Sequence, residues 1–177
     1  MDATTVTYTP QPPQGGPAES LAAALAEPLL TGPHVGEAVV NLQDPAGMTF
    51  RAVPPSGHEV IIDTDPSHGG RSSGPEPLEL LLLALAGCTG IDVMSIMRKK
   101  RQVVTDYRIR VAAEQRQEHP QIYTRIVVQH ILSGPHLDPA AVARSVELSA
   151  YKYCPVSAML GKACELTHQY RIVTTGL

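Results

Sequence analysis

Two stretches of the chain alternate between apolar and polar positions. Tyr107, Ile109 and Val111 share one parity, with Arg108 and Arg110 on the other. Ile122, Thr124, Ile126 and Val128 interleave with Tyr123, Arg125, Val127 and Gln129. A period of two puts successive side chains on opposite faces of a strand, so both stretches are predicted strands, joined by a polar turn over 115–121. Three earlier strands are expected over 37–42, 48–53 and 58–63. The last two flank Pro54-Pro55-Ser56-Gly57, a turn signal that makes them a hairpin. A loop rich in Gly, Ser and Pro covers 65–74, and a final strand is expected over 169–174.

Between the strand groups the pattern changes. Residues 77–100 read as one long helix, capped by Ser73 or Gly74 and opened by Pro77, whose missing N–H would be unpaired in the first turn anyway. Glu76 and Glu79 stand at the positive end of its dipole, and Arg98, Lys99, Lys100 and Arg101 at the negative end. Leu80 to Leu83 and Leu85 leave no polar face. A helix apolar all round should be buried all round, which places it at the centre of the fold. A second helix starts at Asp138-Pro139 and runs to about Tyr151. Pro155 interrupts it, and a short helix follows to Leu160, ended by Gly161. The order βββ-α-ββ-α-β indicates an α+β fold with mixed or antiparallel sheets.

Residues 1–35 differ from the rest. Pro10, Pro12, Pro13 and Pro17 with Gly15 and Gly16 make an extended or flexible arm, with one short helix expected over 20–30. The folded domain is then 36–177. The longest apolar run is 80–88, against the roughly 20 residues of a membrane span, and no leader pattern opens the chain. A soluble, cytoplasmic protein is expected. The chain has 14 basic and 17 acidic residues, no Trp and one Phe, so neither a basic patch nor a stacking platform suggests nucleic acid. Three cysteines are too few for a disulfide framework.

Those cysteines carry the candidate chemistry. Cys88 lies in Ala86-Gly87-Cys88-Thr89-Gly90, inside the long helix. Each glycine there costs about 1 kcal/mol against alanine, a cost that suggests close approach of another backbone or a substrate. The alternative is a small buried hydrophobe. Cys154 precedes Pro155 and is therefore pushed out of the helical region, a natural N-cap. A thiol there faces unpaired N–H groups, which favour the thiolate. Cys164 matches no motif, and neither C-x-x-C nor H-x-x-x-H is present, so no metal is expected. Glu79, two and a half turns before Cys88, reaches it only through an intermediary, for which Arg71 and Arg51 are the candidates. Asp92 follows Cys88 by one turn on the same face. It is expected to make a structural hydrogen bond, and its charge would raise a nearby thiol pKa.

The segment from Gly74 to Val93, containing Ala-Gly-Cys-Thr-Gly-Ile-Asp-Val, together with Tyr153-Cys-Pro-Val-Ser-Ala, resembles the OsmC/Ohr family of osmotically inducible and organic hydroperoxide resistance proteins, over residues 37–174. The resemblance implies a thiol peroxidase of the oxidative stress response. It also implies an intertwined homodimer whose long central helices lie between wrapped sheets. Carried over, Cys88 is the peroxidatic thiol and Cys154 the resolving one. Glu79 holds the catalytic arginine, with Arg71 nearest to the place OsmC uses. An organic hydroperoxide is the substrate and a cellular dithiol the reductant, with no metal, haem or flavin. The rival reading is a redox-responsive binding or structural protein with little turnover. A cysteine acyl-transfer enzyme lacks support because neither cysteine motif holds a histidine.

Overall fold

Three short strands come first: β1 (Val40–Leu42), β2 (Phe50–Ala52) and β3 (Val60–Ile62), an antiparallel meander in which Phe50 faces Leu42 on one side and Ile62 on the other. The computed structural model describes residues 37–173. The N-terminal arm and its expected helix over 20–30 lie outside the described residues.

Asp63 ends β3 and organises the loop after it. Its buried carboxylate accepts the backbone N–H groups of Thr64 (2.9 Å), Arg71 (3.2 Å) and Ser73 (3.0 Å), and the hydroxyls of Ser73 and Thr49. These bonds fold the segment 64–73 back on itself. Gly70 and Gly74 are needed there, since a Cβ on either would run into the carbonyls of Thr64 and Ile61.

Helix α1 spans Pro77–Lys99, close to its expected bounds. Its N-cap is Glu76 rather than Ser73 or Gly74. The reason is local: a residue before proline is driven to extended geometry, and Glu76 has φ −71° and ψ 153°. Ser73 is occupied by Asp63 instead.

The second sheet has the order β4-β5-β6, from Asp106–Gln115, Tyr123–Ser133 and Glu165–Val173. β4 and β5 are antiparallel; β5 and β6 are parallel. A parallel return needs a crossover. Here it consists of α2 (Pro139–Leu148), one π-helical turn (Ser149–Tyr153) and α3 (Pro155–Ala163). Asp138 caps α2 through Ala140 N–H at 2.9 Å, as expected. Gly161 does not end α3, and β6 begins four residues before the expected strand.

The core forms where α1 and the crossover helices meet the second sheet. One cluster joins Val93 and Met97 to Leu132, Val142 and Val146; the other joins Leu85 to Ile126, Val128 and Cys154. Each such side chain contributes about 1.5–3 kcal/mol on burial. The buried positions of α1 are Leu85, Thr89, Val93 and Met97, each four residues after the last, with Gly90 beside Thr89, which leaves the other side of the helix uncovered. The expectation of burial all round is therefore not met among the described residues: Leu81, Leu83 and Ile91 stay exposed, Ile91 by 74%. By length and mean hydropathy α1 could cross a bilayer, but it packs on β4, α2 and α3 as a core helix does.

Candidate active site

The crossover places Cys154. Helix α2 gives way after Leu148 to a π-helical turn, in which Cys154 N–H donates to Ser149 O at 3.0 Å. Such turns insert one extra residue and often mark functional positions. Pro155 then forces Cys154 into extended geometry at the head of α3. Its sulfur accepts the backbone N–H of Ser157 at 3.3 Å, so the thiol is the N-cap that the sequence predicts. Cys154 is buried.

Cys88 approaches from α1. The sulfurs of Cys88 and Cys154 and a carboxylate oxygen of Asp92 all lie within 4.8 Å of one another. Both cysteines are free thiols. Asp92 is oriented by Ser149, whose hydroxyl donates to its Oδ2 at 3.1 Å and also meets Thr89 Oγ1 at 2.8 Å. The expected structural hydrogen bond of Asp92 is thus present. Burial pushes the Cys88 thiol up to about 11, with the Cys154 thiol and the Asp92 charge acting in the same direction and the Val156 N–H opposing them.

The glycines beside Cys88 have different neighbours. A Cβ on Gly90 would meet Ile109 Cδ1 at 2.7 Å, so Gly90 lets β4 approach the helix. Gly87 faces open space, with nothing within 4 Å of a Cβ. It borders a cavity of about 670 Å³ on the uncovered side of α1, which it shares with Ile91 and Tyr107.

Glu79 and the arginines are not brought to the sulfurs. The Glu79 carboxylate accepts the backbone N–H of Glu76 at 2.9 Å, a helix-capping bond. Arg71 pairs with Asp44 at 2.7 Å and Arg51 with Glu59 at 2.6 Å. Among the described residues, no ion pair joins Glu79 to an arginine. The Glu79–arginine arrangement implied by the resemblance is therefore not formed among the described residues. Cys164 stands apart from the pair, donating its thiol proton to Leu160 O at 3.3 Å.

One set of polar residues was not anticipated. Tyr107 Oη lies 2.6 Å from His130 Nδ1, His130 Nε2 lies 3.2 Å from His168 Nδ1, and His168 Nε2 lies 3.3 Å from Ser157 Oγ. The chain crosses β4, β5 and β6 and ends on the residue whose N–H holds the Cys154 sulfur. His130 is fully buried. Burial and the neighbouring His168 hold it down to about 4, and burial lowers His168 as well. Both rings are neutral at neutral pH.

Comparison with known proteins fits this architecture. The family sequence model described as "OsmC-like protein" matches residues 69–169. The chain belongs to the OsmC family. Protein YhfA of Escherichia coli K12 is 42% identical over 127 residues, 72% of this chain and 92% of YhfA. A crystal structure of a hypothetical protein from Aquifex aeolicus VF5 superposes with a TM-score of 0.69 at 31% identity, covering 81% of this OsmC-like chain and 99% of that one. The organic hydroperoxide resistance protein OhrB of Bacillus subtilis shares the fold, with a TM-score of 0.54 at 14% identity over 78% of this chain and 98% of its own.

Proposed function

We propose that this OsmC-like protein is a thiol-dependent peroxidase that reduces organic hydroperoxides to alcohols. The observation that carries the reading is the meeting of the Cys88 and Cys154 sulfurs at the head of α3. The Cys88 thiolate attacks the terminal peroxide oxygen and the O–O bond breaks. The alkoxide takes a proton and leaves as the alcohol, and Cys88 becomes a sulfenic acid. Cys154 condenses with it, releasing water and forming a disulfide. A cellular dithiol restores both thiols by exchange. Leu82 and Leu85 pack in the same cluster as Cys88, a setting that suits an alkyl chain. One equivalent of organic hydroperoxide is expected to remove two free thiols per chain and leave Cys164. Peptide mapping then finds Cys88 linked to Cys154. A Cys154–Cys164 link, or no link, refutes the assignment.

The second reading, a redox-responsive protein with little turnover, has an observation of its own. A thiol held near 11 is ionised at only about one part in ten thousand at pH 7, against a few per cent for an unperturbed cysteine. Steady consumption of peroxide with a dithiol separates the two readings.

The peroxidase reading includes a homodimer built on the open face of α1. The supporting facts are the exposed Leu81, Leu83 and Ile91, the empty space over Gly87, and a first sheet whose main contacts are within itself. A second copy is then the source of the arginine that this site lacks. Light scattering at micromolar concentration is expected to give twice the chain mass, and Ile91→Glu to shift it toward one. A wild-type monomer with intact activity would overturn the dimer.

A further inference from the structure

The same corner of the fold has a second chemical capacity. Cys88 and Asp92 are four apart on α1, so both point to one face, as the two histidines of an H-x-x-x-H pair do. The π-helical turn brings Cys154 opposite them. Two thiols and a carboxylate thus converge from two separate elements, with all three donor atoms within 4.8 Å. In a tetrahedral zinc site, with Zn–S about 2.3 Å and Zn–O about 2.1 Å, the donors stand about 3.5–3.8 Å apart. Small side-chain rotations reach that geometry.

The surroundings are those of a cation site. Asp92 makes no ion pair with any lysine or arginine among the described residues. Its orientation is fixed from behind by Ser149, which is fully buried and bonded in turn to Thr89. Oriented ligands with a hydrogen-bonded outer shell are what metal sites need. Asp92 itself borders a surface cavity of about 380 Å³, together with Lys99, Leu148 and Tyr153.

We infer that Cys88, Asp92 and Cys154 form a three-ligand site for a zinc-class divalent cation, with the fourth position open. On binding, two S–H bonds are replaced by two metal–sulfur bonds and two protons pass to the buffer. No oxidation state changes. The ion occupies only the reduced chain and caps both sulfurs against peroxide.

The test uses the reduced, metal-free full-length protein without peroxide. Cd2+ is titrated while thiolate-to-metal charge-transfer absorption is followed, and Zn2+ is measured by competition with a chromophoric chelator. The expected result is one ion per chain, two thiols withdrawn from a thiol reagent and the third still reactive. Asp92→Asn weakens binding at least about ten-fold, Ser149→Ala about ten-fold through the outer shell, and Cys164→Ser leaves it unchanged. Ser149→Ala keeps all three ligands, so it covers the case in which Asp92→Asn misfolds. The site is overturned if Cys88→Ser/Cys154→Ser binds the ion as tightly as wild type, or if both Asp92→Asn and Ser149→Ala do. A chain that consumes peroxide yet binds no ion refutes the site alone. One that binds the ion yet consumes no peroxide refutes the peroxidase alone.

Discussion

Mixed with an organic hydroperoxide in a stopped-flow instrument, Cys88→Ser is expected to lose the first reduction event entirely, while Cys154→Ser keeps it and halts at the sulfenic acid. A hydroxyl is a far weaker nucleophile than a thiolate and forms no sulfenic acid, so no residual path remains in the first variant. In the second, the thiol that raises Cys88 is gone, so the first event is not slowed. The unresolved sulfenic acid then proceeds to irreversible over-oxidation under excess peroxide. The pH dependence has the same physical origin. With the Cys88 thiol pushed up to about 11, the thiolate fraction, and with it the first-step rate, climbs about ten-fold per pH unit between 7 and 9. A rate already flat above pH 7 would mean that a cation in the assembled protein offsets the burial. Loss of the first event in Cys154→Ser, with Cys88→Ser active, would reverse the roles.

Stability should fall steeply in mild acid. His130 is neutral and buried in the folded chain, with its pKa down at about 4, against about 6.5 when unfolded. Between those values the unfolded chain binds the extra proton, so unfolding gains as pH drops from 6.5 to 4. A difference of about 2.5 units corresponds to roughly 3 kcal/mol, a large share of the stability of a small domain. His168, also lowered by burial, adds to the loss in the same direction. At lower pH Asp63 contributes. The Ser73 hydroxyl, followed by the loop N–H groups, holds its carboxyl well below the usual range, so its contribution is present above pH 4 and vanishes as the pH falls further. Urea unfolding at pH 7, 5.5 and 4.5 measures this. His130→Gln should flatten the slope between pH 6.5 and 4.5. A wild-type protein equally stable at pH 6.5 and 4.5 would show that the ring is not held neutral.

The parts of this fold that are legible in the sequence are those fixed by neighbours in the chain. Pro77 and the basic cluster from Arg98 bound α1, Asp138-Pro139 opens α2, and Pro155 makes Cys154 a cap, all through contacts within a few residues. Glu79 escapes such a reading because its carboxylate satisfies the N–H of Glu76 three residues away. That role has a local signature, but here glutamate replaces the usual Ser or Thr at the cap. The histidine chain is not legible, since it depends on how β4, β5 and β6 align. His130 and His168 become neighbours only because Val128 pairs with His168 in the parallel register. The partial exposure of α1 is hidden for a different reason. The leucines at 80–83 and 85 show a helix without a polar face, not which of its faces the sheet and the crossover helices bury.

The chain from Tyr107 to Ser157 has a consequence in the placement of its hydrogens. It has three gaps, and with both imidazoles neutral each ring brings one N–H. Only two arrangements fill every gap. In one, Tyr107 donates to His130, His130 to His168, and His168 to Ser157. In the other, Ser157 donates to His168, His168 to His130, and His130 to Tyr107. Passing from the first to the second swaps the tautomer of each imidazole and moves one proton along the row while the heavy atoms keep their places. The balance closes when solvent supplies a proton to Tyr107 and takes one from Ser157. The hydroxyl of Ser157 gives a proton in one arrangement and receives one in the other, on the residue whose N–H touches the Cys154 sulfur.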